Sequence, residues 1–353
     1  MRIVVNDVAA TPDAGGVYSI LTDLYNQVKK KDHENEWIFI LSGNYFPDTQ
    51  NIKIVTRPDL KKNKFKKLYF ELFNGHKYIN DFRPDVYISL QNIATLKVNA
   101  KKQVVYLHQP VPFQEEKHFS FWKKEERKLA FYQYIVGFII KKSISKVKPV
   151  TIVQTKWMKR AVLKNTKLPI HCIIVNHPFV NKSDSKLYRN QNYNFFYPAS
   201  GYLYKNQKLI EQATEILNKK GIKKFKINLT LKNNKENKGE NFNYLGHIPR
   251  EKVLKMYENN VLLFPSYIES FGLPLVEAAL KADIILAADT EFAREILNQY
   301  QNVYFYKYTD AKKLADLMEK VIKKKIVSNG VPLSDNNNGM QILDSVNEAI
   351  DDR

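Results

Sequence analysis

The sequence predicts an α/β protein built from two doubly wound domains, each a parallel β-sheet with helices on both faces. Short apolar runs of strand length alternate with amphipathic helical patterns along most of the 353 residues, and this alternation occurs twice over. Most of the short runs are β-branched or aromatic and apolar on both faces, as buried parallel strands are. A single hydrophobic core rarely grows to this length, so two domains are expected.

The predicted strands and helices follow each other in order. The first-half strands are Arg2–Val5, Trp37–Leu41, Ile52–Val55, Val86–Leu90, Val104–Leu107, Thr151–Val153 and Ile173–Val175. The second-half strands are Asn194–Tyr197, Lys226–Leu231, Phe242–Leu245, Val261–Phe264, Ile284–Ala287 and Val303–Tyr306. Two apolar stripes at helical spacing are Val17, Ile20, Leu21, Leu24 and Val28, and Leu209, Ile210, Ala213, Ile216 and Leu217.

The polar stretch Asn181–Asn192 contains little that could be buried and is expected to separate the domains. We therefore expect an N-terminal Rossmann-like domain at 1–185 and a C-terminal Rossmann-like domain at 186–335. A last helix within 336–353 can pack back on the N-terminal domain. In doubly wound sheets ligands bind beyond the carboxyl ends of the strands, so a cleft between the domains is the expected site.

Composition narrows the classes of function. Fifty-six basic and 36 acidic residues give a net charge of +20, which attracts polyanions such as nucleic acid, an anionic lipid surface or a phosphate-bearing substrate. The one cysteine, Cys172, excludes a disulfide framework, and its apolar neighbours predict a buried strand position. The N-terminal residues read as a first strand and not as a secretion signal.

The segment Phe119–Lys148 combines aromatic residues, flanking lysines and an uncharged run at Leu129–Ile140. That run is too short to span a bilayer, which takes about 20 residues. The pattern is typical of a helix that lies on an anionic membrane. It equally fits a helix that covers the first sheet with lysines at its exposed end, and the two interpretations are compatible.

The strongest motif covers residues 261–278 and reads VLLFPSYIESFGLPLVEA. It predicts a strand, a loop and a helix whose first turn contains Pro274, a position where a missing N–H is tolerated. Glu269 then lies in the loop at the carboxyl end of the strand, and Glu277 lies about one turn into the helix. Gly272 permits close approach of the backbone to an anion, which the amides at the helix start would bind.

This motif resembles that of the retaining GT-B glycosyltransferases, in particular family 4 of bacterial surface-polysaccharide enzymes. The family carries two glutamates separated by seven residues in the same Pro-Ser, Glu-Ser-Phe-Gly-Leu-Pro and Glu-Ala context. The resemblance implies that Glu269 is catalytic and contacts the transferred sugar and that Glu277 binds the nucleotide ribose. It also places Ser270, Phe271, Gly272 and Leu273 in the donor-binding turn. The resemblance further implies that the domain at 1–185 binds the acceptor and that the domain at 186–335 binds the nucleotide-sugar donor.

A second motif follows a predicted strand and contains Gly201-Tyr202-Leu203-Tyr204-Lys205-Asn206. The family has a Lys-Asn pair here whose lysine binds donor phosphate, which the resemblance assigns to Lys205. Relatives often carry an arginine just before this lysine, after a glycine. Here Tyr202 follows Gly201, so the phosphate charge is met by Lys205 with backbone dipoles or by a basic residue elsewhere in the chain.

Two motifs in the first half complete the predicted site. Gly15 and Gly16 lie between the first strand and first helix, where the family's glycine pair lets the helix start approach donor or acceptor. His108 follows the strand Val104–Leu107 in a His-Gln-Pro-Val-Pro-Phe phrase. The resemblance places this histidine near the donor sugar, as a second catalytic residue that donates a hydrogen bond to the sugar or leaving group.

The expected function is retaining transfer of a hexosyl group from a UDP- or GDP-sugar to a lipid-linked saccharide in surface-polysaccharide synthesis. The resemblance implies no metal and no further cofactor. The expected location is cytoplasmic, peripheral on the inner face of the cell membrane, where an anionic surface and a membrane-anchored glycan give the positive charge a purpose. No nucleic-acid partner is expected.

Two alternatives remain open. A nucleotide-sugar epimerase of the same fold would leave the sugar attached to the nucleotide. A basic nucleic-acid-binding protein fits the charge, but no aromatic-rich RNA-recognition motif is present. The chain also lacks the Gly-x-Gly-x-x-Gly of dinucleotide enzymes, the Walker phosphate loop and an Asp-x-Asp in a strand-end context, which disfavours a metal-dependent GT-A transferase.

Overall fold

The computed structural model describes residues 1–12, 15–178, 180, 194–232, 239–258, 260–334 and 339–351, and for residues 64 and 65 the backbone alone. The chain divides into two compact units. The N-terminal unit comprises Met1–Phe179 with Gly339–Arg353, and the C-terminal unit comprises Val180–Asn338. The predicted separating stretch Asn181–Asn192 lies outside the described residues, as do the predicted domain limits at 185/186 and 335/336.

The sheet of the N-terminal unit is seven-stranded and parallel, in the order β3-β2-β1-β4-β5-β6-β7. Its strands are β1 (Arg2–Asp7), β2 (Glu36–Leu41), β3 (Ile52–Thr56), β4 (Val86–Ser89), β5 (Lys102–Leu107), β6 (Val150–Val153) and β7 (Ile173–Val175). Val4 in β1 lies opposite Ile38 in β2 and Tyr87 in β4. The order reverses between β1 and β4, which is the crevice where doubly wound sheets bind ligands.

Helices cover both faces of this sheet. They are α1 (Gly16–Lys31), α2 (Pro58–Lys62), α3 (Lys64–Tyr69), α4 (Gly75–Asn80), α5 (Arg127–Phe131), α6 (Gly137–Val147), α7 (Lys156–Asn165) and, from the end of the chain, α13 (Ile342–Asp351). Wider π-helical turns at Phe70–Asn74 and Tyr132–Val136 join α3 to α4 and α5 to α6. Ile3 and Val5 pack under α1 and α13, whereas Val4 packs on the opposite face with residues of α2 and α4.

The terminal helix α13 is an integral part of the N-terminal unit. Its Leu343 and Val346 are buried in the same core as β1 and α1. The Leu343 amide donates to Gln27 Oε1 over 2.9 Å, and Lys102 Nζ donates to the Ile350 carbonyl over 2.7 Å.

The C-terminal unit contains a six-stranded parallel sheet in the order β10-β9-β8-β11-β12-β13. Its strands are β8 (Phe195–Tyr197), β9 (Ile227–Leu229), β10 (Phe242–Tyr244), β11 (Val261–Phe264), β12 (Ile285–Ala288) and β13 (Val303–Tyr306). Its helices are α8 (Gln207–Lys219), α9 (Arg250–Met256), α10 (Leu273–Ala279), α11 (Glu291–Ile296) and α12 (Ala311–Ile322). The order reverses here between β8 and β11.

All the predicted strands are present within one or two residues of their predicted limits, and the two predicted stripes form the buried faces of α1 and α8. The predicted fold class, two doubly wound parallel domains, is therefore confirmed. One prediction is wrong: Cys172 is not a buried strand residue but lies half-buried at the end of a 3-10 turn, Ile170–Cys172, which follows Pro169 and directly precedes β7. None of the helices in the described part of the chain combines the length and apolarity needed to traverse a bilayer.

Candidate active site

Lys205 and Glu269, 64 residues apart in the chain, are brought together in the C-terminal unit. The Lys205 ammonium forms an ion pair and hydrogen bond with Glu269 Oε1. Lys205 ends a 3-10 turn, Leu203–Lys205, that follows β8, and Glu269 lies in the loop that follows β11. Because β8 and β11 are neighbours at the point where strand order reverses, both loops extend from the same edge of the sheet.

Backbone hydrogen bonds hold these two loops against each other. The Tyr204 carbonyl accepts from the Tyr267 amide over 3.2 Å and from Ser266 Oγ over 3.3 Å. Asn206 Nδ2 donates to the carbonyls of Pro265 (3.3 Å) and Tyr308 (2.7 Å). The lysine and the glutamate are therefore presented on a fixed frame and not on independent loops.

Asn206 holds the loop of Lys205 in place and was not predicted as a site residue from the sequence. It adopts a left-handed conformation (φ 55°) immediately before α8, which asparagine tolerates better than most residues. A Lys-Asn pair just before an amphipathic stripe is the local signal that could have identified it.

The predicted donor-binding turn begins α10. Gly272 has φ 99°, a conformation that disfavours any other residue, and a Cβ there would lie 3.3 Å from Leu275 Cδ1. The Phe271 side chain is buried, whereas Ser270 and Leu273 are half-exposed. Two positions at the start of α10 cannot donate to an anion. Pro274 has no N–H, and the Leu275 amide donates to the Gly272 carbonyl over 2.9 Å.

Glu277 lies in the second turn of α10 and is 4% exposed. Its Oε1 accepts from Arg250 Nη2 over 2.5 Å, and its Oε2 accepts from the Tyr257 hydroxyl over 2.9 Å. Burial and the nearby Glu277 carboxylate raise the pKa of Tyr257 well above its ordinary value. The Arg250 side chain remains 57% exposed while its guanidinium neutralises the buried acid. Arg250 and Tyr257 were not predicted as site residues.

In the N-terminal unit, His108 follows β5 and is held by Asn92. Asn92 Oδ1 accepts the amides of His108 (2.7 Å) and Gln109 (2.9 Å), which orients the Asn92 side chain and directs its Nδ2 to His108 Nε2 at 3.2 Å. Burial and the charge of Lys67 lower the pKa of His108 to about 4, so the ring is neutral at neutral pH.

The protonation of the His108 ring follows from these contacts. Nε2 faces the NH₂ group of Asn92 and must accept, so the proton of the neutral imidazole resides on Nδ1. Among the residues that the structure describes, this buried Nδ1 has no hydrogen-bond partner. His108 therefore carries an unused N–H donor, held in place from its other side.

A buried polar cluster at the end of β1 was also missed by sequence reasoning. Asp7 Oδ1 accepts from Gln91 Nε2 over 2.6 Å, while its Oδ2 has no partner among the described residues. Burial raises the pKa of Asp7 to about 7, against the opposing charges of Lys67 and Lys61. Because Asp7 ends β1 and Gln91 follows β4, the cluster occupies the point where the order of this sheet reverses.

Gly15 and Gly16 begin α1 in the same unit. Gly15 has φ 59° and ψ −128°, a combination that disfavours residues with a side chain, and a Cβ at either glycine would meet no atom of the described residues within 4 Å. The backbone at the start of α1 therefore faces open space. Within the described ranges no group of three or more His, Cys, Asp or Glu side chains could hold a metal ion, and the metal independence of the reaction stays a prediction.

Comparison with known proteins identifies a family model and solved structures that resemble this chain. Residues 181–332 match the sequence model of the family described as Glycosyl transferases group 1. No curated protein matches the sequence.

Solved structures share the whole fold at low sequence identity. WaaG, a glycosyltransferase involved in lipopolysaccharide biosynthesis, superposes with a TM-score of 0.67 at 12% identity, covering 92% of this chain and 91% of that one. HepE from Anabaena, in complex with UDP and glucose, gives 0.66 at 13% identity and 99% and 98% coverage. Sucrose-phosphate synthase from Thermosynechococcus elongatus gives 0.64 at 14% identity and 92% and 90% coverage. The chain therefore has the GT-B fold, and its residues 181–332 match a Glycosyl transferases group 1 domain.

Proposed function

We propose that the protein is a retaining, metal-independent glycosyltransferase of family 4 that moves a hexosyl group from a nucleoside diphosphate sugar to a lipid-linked saccharide. The observation that carries this proposal is the Lys205–Glu269 pair at the sheet edge of the group 1 domain. It combines a cation for the diphosphate with a carboxylate for sugar hydroxyls. UDP is the first nucleotide to test, because HepE has been solved with UDP and glucose.

In the proposed reaction the bond between the anomeric carbon and the diphosphate oxygen breaks. A new bond forms between that carbon and an acceptor hydroxyl on the same face, and the hydroxyl proton passes to the departing phosphate. Negative charge therefore grows on the diphosphate in the transition state, where Lys205 stabilises it. Backbone amides of Ser270, Phe271 and Leu273 complete the phosphate contact in this proposal, and the positive φ of Gly272 allows the backbone to approach the diphosphate closely.

Glu269 has two roles in this scheme. Before the donor binds, it neutralises Lys205. Once the diphosphate takes over the ammonium, the carboxylate is free to accept hydrogen bonds from hydroxyls of the transferred sugar. The exchange keeps a half-buried charge paired at every stage, which avoids the cost of an isolated ion.

Glu277 binds the ribose in this proposal, and its surroundings support a shared role with Arg250. Each carboxylate oxygen has a second lone pair, so a ribose hydroxyl can bind while Arg250 and Tyr257 remain in place. The Arg250 side chain, which is half-exposed and paired with Glu277, is proposed to compensate for the arginine missing before Lys205.

His108 is proposed to donate its Nδ1–H to the transferred sugar or to the leaving oxygen. The neutral ring suits this role, since an N–H held by Asn92 from behind needs no reorganisation during the reaction. Gly15 and Gly16 leave the start of α1 open to the substrate.

The acceptor is proposed to be a glycan anchored in the membrane, with the enzyme peripheral on the cytoplasmic face of an anionic bilayer. The net charge of +20 supports this location, because a positive protein concentrates at a negative surface.

The donor is tested by a thermal-shift panel of nucleoside diphosphates and their sugars, followed by transfer with the best binder. The variant Lys205→Gln should lose most of the shift given by the diphosphate and little of that given by the nucleoside. Lys208→Gln, which removes an exposed lysine three residues along, is the matched control and should behave like the parent. Equal losses for nucleoside and diphosphate would contradict the role of Lys205.

The reaction is tested with donor labelled in the sugar. Transfer predicts label in a lipid extract, with activity retained in a metal chelator and the anomeric configuration of the donor kept. Label that stays on the nucleotide while the sugar changes configuration would instead indicate an epimerase.

A further inference from the structure

Six large apolar side chains form a continuous exposed surface on the N-terminal unit, which we call the aromatic patch. Its members are Phe121, Trp122, Phe131, Tyr134, Ile135 and Phe138, with exposed fractions from 40% to 91%. Exposed apolar residues normally occur singly, so six together indicate an interaction surface.

The patch is the outer face of one continuous helix from Arg127 to Val147, with the loop that precedes it. Four members recur at helical spacing, i, i+3, i+4 and i+7. The opposite face of the helix is buried and includes Ala130, Gln133, Ile140 and Ile144. A sequence that needed only to cover the sheet would place polar side chains on the outer face.

The loop is fixed to the helix, so the patch is a preformed surface. Gln133, buried at mid-helix, accepts the Phe119 amide over 3.0 Å and donates to the Lys117 carbonyl over 2.9 Å. The Phe121 ring lies 5.9 Å from the Tyr134 ring, which joins the loop to the helix face. Trp122, 91% exposed, projects from this junction.

The charge around the patch is strongly positive. Residues 119–148 contain eight basic and two acidic side chains. One acid, Glu126, is buried and lies 3.4 Å from Lys117 and 3.8 Å from Lys123. Lys142 lies over the Phe138 ring at 5.6 Å. Apolar side chains bordered by lysines match the boundary between anionic headgroups and acyl chains.

We propose that the aromatic patch inserts into the interfacial region of an anionic lipid bilayer and holds the enzyme on the membrane. This membrane binding rests on the proposed function in one respect only: it would give the enzyme access to a lipid-anchored acceptor. Charge complementarity distinguishes a bilayer from a second copy of this chain, because two copies meeting through the patch would bring like charges together.

Trp122 provides a direct readout of insertion. The chain has three tryptophans, and the other two, Trp37 and Trp157, are buried. On vesicles of phosphatidylcholine with phosphatidylglycerol, tryptophan emission should shift to the blue and be quenched by lipids brominated on the acyl chain. Trp122→Phe should abolish both changes while still binding the vesicles.

Vesicle sedimentation of variants separates insertion from simple adsorption. Phe131→Ser/Phe138→Ser should bind anionic vesicles at least about tenfold more weakly, since two exposed rings lose apolar burial. Lys123→Gln/Lys124→Gln should also weaken binding and reduce its salt dependence. The matched control is Val327→Ser/Val331→Ser, which removes two equally exposed apolar side chains from the C-terminal unit and should leave binding unchanged.

Three results would overturn the proposal. One is equal vesicle binding by Phe131→Ser/Phe138→Ser and the control. Another is Trp122 emission that is unchanged on bound vesicles. The third is a parent protein that dimerises without lipid and becomes monomeric in the patch variant. Nucleotide thermal shifts measured on the same samples separate this failure from failure of the proposed function, because the donor site does not include the patch.

Discussion

Replacing the buried Asp283 by asparagine should stabilise the protein at alkaline pH. Asp283 lies between α10 and β12 and is 2% exposed, and its Oδ2 has no partner among the described residues. Burial raises its pKa to about 9, an effect that the charge of Lys281 opposes and that of Glu258 reinforces. The native state therefore holds this proton at neutral pH, whereas the unfolded chain releases it near the ordinary aspartate pKa of 3.8.

The direction in which stability changes with pH follows from which state, native or unfolded, binds the proton of Asp283 more tightly. Between pH 3.8 and about 9 the native state binds one proton more than the unfolded state, so stability falls as pH rises through that window. At about 1.4 kcal/mol per pH unit, the loss attributable to Asp283 has a ceiling of roughly 6 kcal/mol at pH 8. Local relaxation and the buried amide of asparagine reduce the gain in Asp283→Asn to about 2 kcal/mol.

Urea unfolding at pH 4 and pH 8 measures this prediction. Asp283→Asn should match the parent at pH 4 and exceed it at pH 8. The control is Asp316→Asn, an exposed acid whose pair with Lys320 spans one turn of α12, and it should change stability by no more than about 0.5 kcal/mol at either pH. Parallel pH profiles for Asp283→Asn and the parent would refute the reasoning.

Three further predictions concern the candidate site. Tyr257→Phe should lower the free energy of unfolding by about 2 kcal/mol, because the hydroxyl that donates to the buried Glu277 is lost, and urea unfolding with unchanged stability would contradict it. Gly272→Ala should cost about 1–2 kcal/mol through its positive φ and weaken diphosphate binding, which calorimetry with UDP checks. Glu269→Gln should abolish transfer yet bind UDP about threefold more tightly, because Lys205 is released from its pair. Weaker UDP binding by this variant would refute the exchange of Lys205 between carboxylate and diphosphate.

Most of the fold could be predicted because it depends on local patterns. Runs such as VLLF at Val261–Phe264 are apolar on both faces. A strand of this kind is stable only where helices cover both faces of its sheet, so the run predicts a buried parallel strand. Cys172 was placed wrongly, because its apolar neighbours suggested a buried strand position although it ends the 3-10 turn just before β7. Helix and strand limits depend on such turns.

The candidate site was only partly predictable. The glutamates and Lys205 belong to contiguous motifs with a family resemblance, so their positions could be read from the sequence. Asp7 and Gln91 could not, since they are 84 residues apart and meet only because β1 and β4 are paired. Side-chain pairs between distant loops follow from the topology and leave no local signal.

The cations that pair with Glu269 and Glu277 could not be predicted from the motif for the same reason, because they come from distant loops. Each carboxylate is largely or partly buried and therefore requires a cation, yet the motif at residues 261–278 contains neither lysine nor arginine. The fold supplies Lys205 to Glu269 from the loop after β8, and Arg250 to Glu277 from the start of α9. These cations are held near the acids before a ligand arrives, which keeps positive charge beside the turn that begins α10. In the proposed site, Arg250 therefore supplies from a different loop the positive charge of the arginine that is absent before Lys205.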